Sequence, residues 1–547
     1  MDISFNLSFR DPVLLRTKNL TCRYEEGRLR YVKAGDTEIV RMIYGAVRDA
    51  NWDTIACDIT NEHIQQEKDG FTLTYTAHFR QDNIIYEAVY RIEGKPDDTI
   101  TFDMRGKALS GFKSNRIGLC VHLPVKEYAG IPVTVIHPQG AATLTRFPEN
   151  ISPHQPFSGI EQLYWTTANN TNVRLSFAGG VFEAEDQRNW MDHSYKIYSR
   201  PLALPFPFDV NVGGIMKQNI RLGIDVKKNK ADPAAKLPDI ETGNVPAIGI
   251  AAADEPILLG ALEIGALQAL PFMHYRAELD FEKDWQPLFA IHRANAKAIG
   301  AALELVLFFT DNYLEEIRNF ITAISYEVYD IQSILPQHKS YKATPPFLQE
   351  YFYPLLKKSF PQIMVGYGTD IYFAELNRQR PQHDGFDFVS FSLNPQVHSF
   401  DEKTMLENIE AIPDIIRTIR TFTDKPVFIS PITFKKRKNH DGAGSVRHDL
   451  VNNFDARQNT WLGAAWFLLC LFRLRDAQQL TFFKTTGDSG IIGTAGETSP
   501  LYRVLAQLKS FNAITMTKSV EAAATQITFS NRAGEDMKFR IAEHLPV

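Results

Sequence analysis

The chain has 547 residues, more than one ordinary domain holds, so two or three domains are expected. Its 44% hydrophobic and 22% charged content is that of a soluble globular protein. The balance of 59 basic against 64 acidic residues, net −5, is too even to suggest nucleic-acid binding.

The four cysteines, Cys22, Cys57, Cys120 and Cys470, make no CxxC pair and hold no metal-like spacing to a histidine. Buried free thiols in a reducing compartment are expected. The amino terminus (MDISFNLSFR) has no apolar signal core, and the longest apolar stretches, such as 461–472, fall short of a membrane span. A cytoplasmic protein with no membrane or nucleic-acid partner is the expectation, with the oligomeric state open.

Residues 1–228 read as β-structure. Runs rich in β-branched and aromatic residues recur at 70–79, 84–92, 99–104, 116–123, 133–137 and 173–177, separated by turn formers such as Glu93-Gly94-Lys95-Pro96. No long 3.6-residue period interrupts them, so an antiparallel β-sandwich is predicted. Residues 229–246, charged and then rich in Pro, Gly and Ala, are the predicted linker. From 247 to 510, eight strand-like runs occur at 247–251, 270–281, 304–309, 324–330, 362–366, 387–393, 426–434 and 480–486. Helical segments lie between most of them, at 285–301, 312–322, 346–358, 403–421, 455–475 and 499–509. Size and order predict a (β/α)8 TIM-like barrel. A doubly wound sheet is the rival, weakened because no glycine-rich fingerprint follows the first strand. Residues 511–547 return to strands, a short C-terminal β region that packs on the barrel or completes a sheet.

One run breaks the alternation expected of a surface strand. Phe182-Glu183-Ala184-Glu185-Asp186-Gln187-Arg188-Asn189-Trp190-Met191-Asp192 carries four carboxylates and one cation between an apolar strand and a proline-rich segment. So many polar groups in a fold need partners. Either Glu185, Asp186 and Arg188 brace the sandwich against the barrel, or they project into its mouth and hold a polyhydroxylated ligand.

In a barrel enzyme the chemistry sits at the carboxyl ends of the strands. The second strand places Met273, Tyr275, Ala277 and Leu279 on one face, and His274, Arg276, Glu278 and Asp280 on the other. An interior ion-pair ladder is one reading of that charged face; the other takes Arg276 and Glu278 to the mouth. After the fifth strand, Glu375 and Asn377 share a face with Phe373, and Glu375 is the leading candidate general base; a salt bridge to Arg378 or Arg380 is the alternative. The sixth strand offers Ser390, Ser392 and Asn394, followed by Gln396 and His398, as partners for hydroxyl groups. Lys484, at the end of the eighth, lines the same mouth. There is no HExxH, phosphate-cradling glycine loop or GxSxG elbow, so neither a metal nor a cofactor is expected.

The Phe182–Asp192 run, with Tyr195-Lys196 and the Arg200-to-Pro207 segment that follow it, resembles the D-apionate lactonase family of bacterial apiose catabolism. Supporting stretches are 115–120, 147–157, 274–278 and 388–394, so the resemblance spans nearly the whole chain. It implies an N-terminal β domain, a TIM-like barrel, a short C-terminal β region, and hydrolysis of D-apionolactone to D-apionate. Residue roles follow from strand geometry. Glu375 would deprotonate water, Arg276 or His274 would stabilise the oxyanion, and Glu278 would protonate the leaving ring oxygen. Asn377, Asn394 and Gln396 would bind hydroxyls, with His398 in support. The alternatives are a glycoside hydrolase using Glu278 and Glu375, or a non-catalytic carbohydrate-binding protein.

Overall fold

The computed structural model describes residues 2–9, 11–226, 241–325, 330–439, 448–449, 454–493, 498–511, 515–521 and 524–544. Alternating apolar residues drive the N-terminal strands into two antiparallel sheets, of nine and eight strands. Leu29, Leu73, Tyr90, Phe102, Leu119 and Ile197 pack between them. The eight-stranded sheet departs from the usual pattern of one dry and one wet face. Its strand Arg116–Pro124 is buried throughout. Ile117, Leu119, Val121 and Leu123 fill the sandwich core, and the opposite face, with Arg116, Cys120 and His122, is buried as well. This sheet also touches the barrel: Arg30 donates to Thr404 at 2.9 Å and pairs with Asp401 at 3.0 Å.

Eight parallel strands then close into the predicted barrel, the first, Ala247–Ala251, pairing with the last, Gln479–Thr486. Seven of the eight strands overlap their predicted positions; the fourth does not. It is Ile331–His338, whereas 324–325 end the helix Tyr313–Ser325 and 326–329 lie outside the described residues. Ile317, Phe320 and Ile324 bury at helical spacing. Pro336 inside the true strand masked its signal.

The C-terminal strands Thr515–Glu521, Ala524–Ser530 and Asp536–His544 pair antiparallel. Two further strands complete their sheet. Glu241–Asn244 comes from the predicted linker, whose residues 229–240 lie outside the described residues. Asp2–Ser8, placed with the sandwich by the sequence, pairs in parallel with Asp536–His544. Phe5 supplies the reason: its ring meets Trp461 at 5.4 Å and Phe539 at 6.1 Å, in the barrel's apolar cluster. Among the described residues no helix is long and apolar enough to cross a membrane.

Arg188 ties the sandwich to the barrel. Its Nε and Nη2 donate to the two carboxylate oxygens of Asp186 at 2.8 and 2.7 Å, and Nη1 donates to Asp414 of the barrel at 2.8 Å. The carbonyls of Glu149 and Pro148 accept at 3.0 and 2.9 Å. Burial opposes the charge, and the two carboxylates more than restore it. Removing one partner of such a pair leaves a bare buried charge. Arg188→Ala is therefore expected to cost about 3–5 kcal/mol in chemical denaturation. A loss under about 1 kcal/mol would show that the clasp contributes no more than a surface pair.

Candidate active site

The inward face of the second strand, His274–Asp280, builds the barrel interior in layers. At the amino end, His274 Nε2 lies 2.9 Å from Thr481 Oγ1 and 3.3 Å from Glu304. Only glycine fits opposite: a Cβ at Gly249 would fall 2.1 Å from the imidazole. Glu304 accepts from Gln479 at 2.8 Å, from Thr481 at 3.0 Å and from Ser430. These residues form a hydrogen-bonded floor. His274 belongs to that floor and not to the mouth, so of the two groups expected to face an oxyanion only Arg276 stands higher in the barrel. Glu304 itself was missed by sequence reasoning; the signal was one carboxylate inside the apolar run Ala302–Phe309.

Above the floor, Arg276 Nη1 donates to Glu278 Oε1 at 2.6 Å, and Arg437 Nη1 donates to the same oxygen at 2.6 Å. Arg437 also reaches the carbonyl of Asp370 at 3.1 Å. Arg276 is 2% exposed, and its Nε and Nη2 are buried without a hydrogen bond, although Nε lies 3.8 Å from Glu304. Glu278 keeps 28% of its side chain exposed. Lys484 pairs with Asp254 on the neighbouring wall. Burial lowers the Lys484 ammonium below its ordinary value although Asp254 opposes the shift. Arg437, Asp370 and Asp254 were not among the expected site residues; they come together only through barrel closure.

The fifth strand ends at Tyr372, and Phe373–Arg378 is a helical turn, where a continuing strand was expected. Phe373 and Leu376 bury three residues apart, so Glu375 and Asn377 do not share a strand face. Glu375 lies 3.4 Å from Arg378 and 4.0 Å from Lys342. Asn377 is committed to the domain junction: Nδ2 donates to the carbonyl of Ile151 at 3.1 Å and to Asn189 at 2.9 Å, while Oδ1 accepts from Arg380 at 2.7 Å. Asn394 accepts from the backbone N–H of Gln396 at 3.1 Å. It lines a cavity of about 10 Å³ with Asn189, Trp190, Tyr372 and Ser392, room for about one water. Gln396 donates to the carbonyl of Phe434 at 2.8 Å and to Asp455 at 3.0 Å, which joins the loops after the sixth and seventh strands. A cleft of about 530 Å³ between 381–386 and 422–426 lies at the opposite, amino end of the strands, away from these charges.

The acidic-aromatic run divides its work. Asp186 and Arg188 form the clasp described above. Glu185 pairs with Lys196 across adjacent strands at 3.3 Å. Burial raises Glu185, but Lys196, Arg116 and Arg48 outweigh it and hold the carboxyl low. Beyond the turn, Trp190 stands edge-to-face with His398 at 5.7 Å and under the Arg378 guanidinium at 5.2 Å. Asp192 Oδ2 meets His398 Nδ1 at 2.5 Å, and its Oδ1 accepts from Asn408 at 2.9 Å. Burial pushes Asp192 up to about 7. It pushes His398 well below its ordinary value, with Lys196, Arg48, His122 and Arg116 adding to the effect. Among the described residues no group of three or more His, Cys, Asp or Glu is placed to hold a metal ion.

A barrel with a charged carboxyl-end mouth, abutted by a β-sandwich, is the architecture of a barrel enzyme. The chain belongs to the D-apionate lactonase family: the family's N-terminal domain matches residues 6–227, and its TIM barrel domain matches residues 248–513. It is accordingly a lactone-hydrolysing enzyme, a carboxylic-ester hydrolase, which sets aside the reading as a non-catalytic binding protein. A D-apionate lactonase of Brucella anthropi is 29% identical over 523 residues, 89% of this chain and 84% of that one. Solved structures align more loosely. An endo-β-1,4-mannanase from Thermotoga petrophila has a TM-score of 0.35 at 10% identity, covering 55% of this chain and 99% of its own. A galactose 1-epimerase from Lactobacillus acidophilus has a TM-score of 0.29 at 6% identity, covering 39% and 94%. At such scores neither informs the chemistry.

The buried histidines set a pH dependence. His122, His193, His274, His292 and His398 are all lowered by burial, His193 and His292 to about 4. Unfolded, each binds a proton below about 6.5; folded, each resists it. Their contribution is present above pH 6.5 and is lost as the pH falls toward 4, by up to about 1.4 kcal/mol per pH unit for each histidine. Asp192, raised, acts in the opposite sense and offsets about one of the five. The thermal midpoint is expected to fall steadily between pH 6.5 and 4; a flat profile over that window would contradict the assignment.

Proposed function

We propose that this lactonase opens D-apionolactone to D-apionate in apiose catabolism, at the barrel mouth formed by Arg276, Glu278 and Arg437. One observation carries the reading: a guanidinium buried in the barrel with Nε and Nη2 lacking hydrogen-bond partners. A lactone carbonyl oxygen gains negative charge as water adds to its carbon, and an unpaired buried donor suits that charge. Glu278 Oε1 is gripped by two guanidinium groups at once. Its role is then to orient both arginines and to accept from substrate hydroxyls, not to protonate the ring oxygen. Lys484, Asp254 and Asn394 supply further polar contacts for a polyol. The name of the Brucella anthropi relative supports D-apionate as the product. Interaction with a small sugar lactone, and with no nucleic acid or membrane, is part of the same proposal.

The test is titration of the acid released from D-apionolactone, beside an assay on aryl glycosides. The wild-type chain is expected to open the lactone and leave the glycosides intact. Arg276→Gln should lower kcat by about 100- to 1000-fold, the usual cost of an oxyanion donor. Glu278→Gln should lower kcat/KM by a similar factor, with the thermal midpoint retained. Wild-type turnover in both variants would sink the proposed site.

A further inference from the structure

Resting on the lactonase reading, we infer that His398 is the general base of the reaction and that Asp192, reaching across from the sandwich domain, is its positioning residue. His398 lies in the loop after the sixth strand, at the carboxyl end of the barrel where such enzymes keep their reacting groups. Asp192 Oδ2 holds its Nδ1 at 2.5 Å, and no described group is hydrogen-bonded to Nε2. Asn408 donates to the other Asp192 oxygen at 2.9 Å, and above the raised Asp192 value of about 7 the carboxylate accepts the ring proton on Nδ1. The Nε2 lone pair is then available. Trp190 fixes the ring plane from the side and also lines the one-water cavity shared with Asn394 and Ser392. Some 12% of the His398 side chain remains exposed, so the ring is not sealed into the core.

The charges facing this pair give it the right resting state. Lys196 from one strand, Arg48 from a second, and His122 and Arg116 from a third disfavour a standing imidazolium, while Glu185 offsets Lys196. The base therefore rests neutral. When Nε2 takes a proton from the attacking water, the Asp192 carboxylate stabilises the imidazolium so formed. The water oxygen bonds to the lactone carbonyl carbon, and its proton moves to Nε2. The tetrahedral intermediate collapses, the bond from the carbonyl carbon to the ring oxygen breaks, and the same proton passes to that oxygen. The products are the hydroxy acid and a neutral imidazole, so atoms and charge balance. This constellation joins two domains and uses neither Glu375 nor Glu278 as the base.

The test is the pH profile of kcat on D-apionolactone for wild type, His398→Gln and Asp192→Asn, with thermal midpoints alongside. Both variants are expected to lose at least 100-fold in kcat with KM within threefold, and His398→Gln should lose the acid limb of the wild-type profile. In His398→Ala, added imidazole should recover at least tenfold of the lost rate, which a purely structural histidine would not allow. Turnover near wild type in His398→Gln, or an acid limb that survives the substitution, overturns the assignment while leaving the lactonase reading intact. A wild-type chain that opens no lactone overturns the reading beneath it.

Discussion

The guanidinium of Arg188 is the constraint on which the rest of the molecule depends. It is sealed from solvent, so each of its donors must find a protein acceptor. Two carboxylates and two backbone carbonyls supply them, one carboxylate from each domain. The planar fork admits little freedom, so meeting all four partners at once fixes the angle at which the turn Gln187–Trp190 leaves its strand. That turn carries Trp190 and Asp192 to the loop after the sixth barrel strand. A domain contact thereby becomes a means of placing side chains with sub-ångström tolerance, as acid–base chemistry requires.

The barrel interior extends the same logic. Such interiors usually fill with branched apolar residues; here Glu304, His274, Arg276 and Glu278 occupy them. The desolvation cost is met by stacking opposite charges in layers, with hydroxyl and amide groups from the seventh and eighth strands completing the shell. The floor is held rigid by the hydrogen bonds that converge on Glu304. Unused donors occur higher up, on Arg276, and rigidity below with spare bonding capacity above is what a binding mouth needs.

Much of this was legible in the sequence. The sandwich, the barrel and the terminal strands came from period-two runs and their interleaving with helices. The inward face of His274, Arg276, Glu278 and Asp280 followed from strand parity alone. The helical turn at Phe373–Arg378 was not legible, because a six-residue segment satisfies either period. Asn377 and Gln396 looked like hydroxyl binders; the structure commits their amides to loop and domain contacts, which depend on which segments meet in space. Arg437 and Asp254 lie far from Glu278 and Lys484 in the chain, and only barrel closure joins them. The pairing of Asp192 with His398 spans 206 residues and two domains, a distance over which no local pattern carries information.

The parallel pairing of Asp2–Ser8 with Asp536–His544 joins two segments with the sandwich and the barrel strung between them in the chain. Phe5 gains its neighbour at Phe539 only once those two segments have met. The sandwich can collapse on antiparallel neighbours that lie close in sequence, whereas this contact must first close a very long loop. It is therefore expected to form late in folding and to report, by its presence, that the domains between have already been placed.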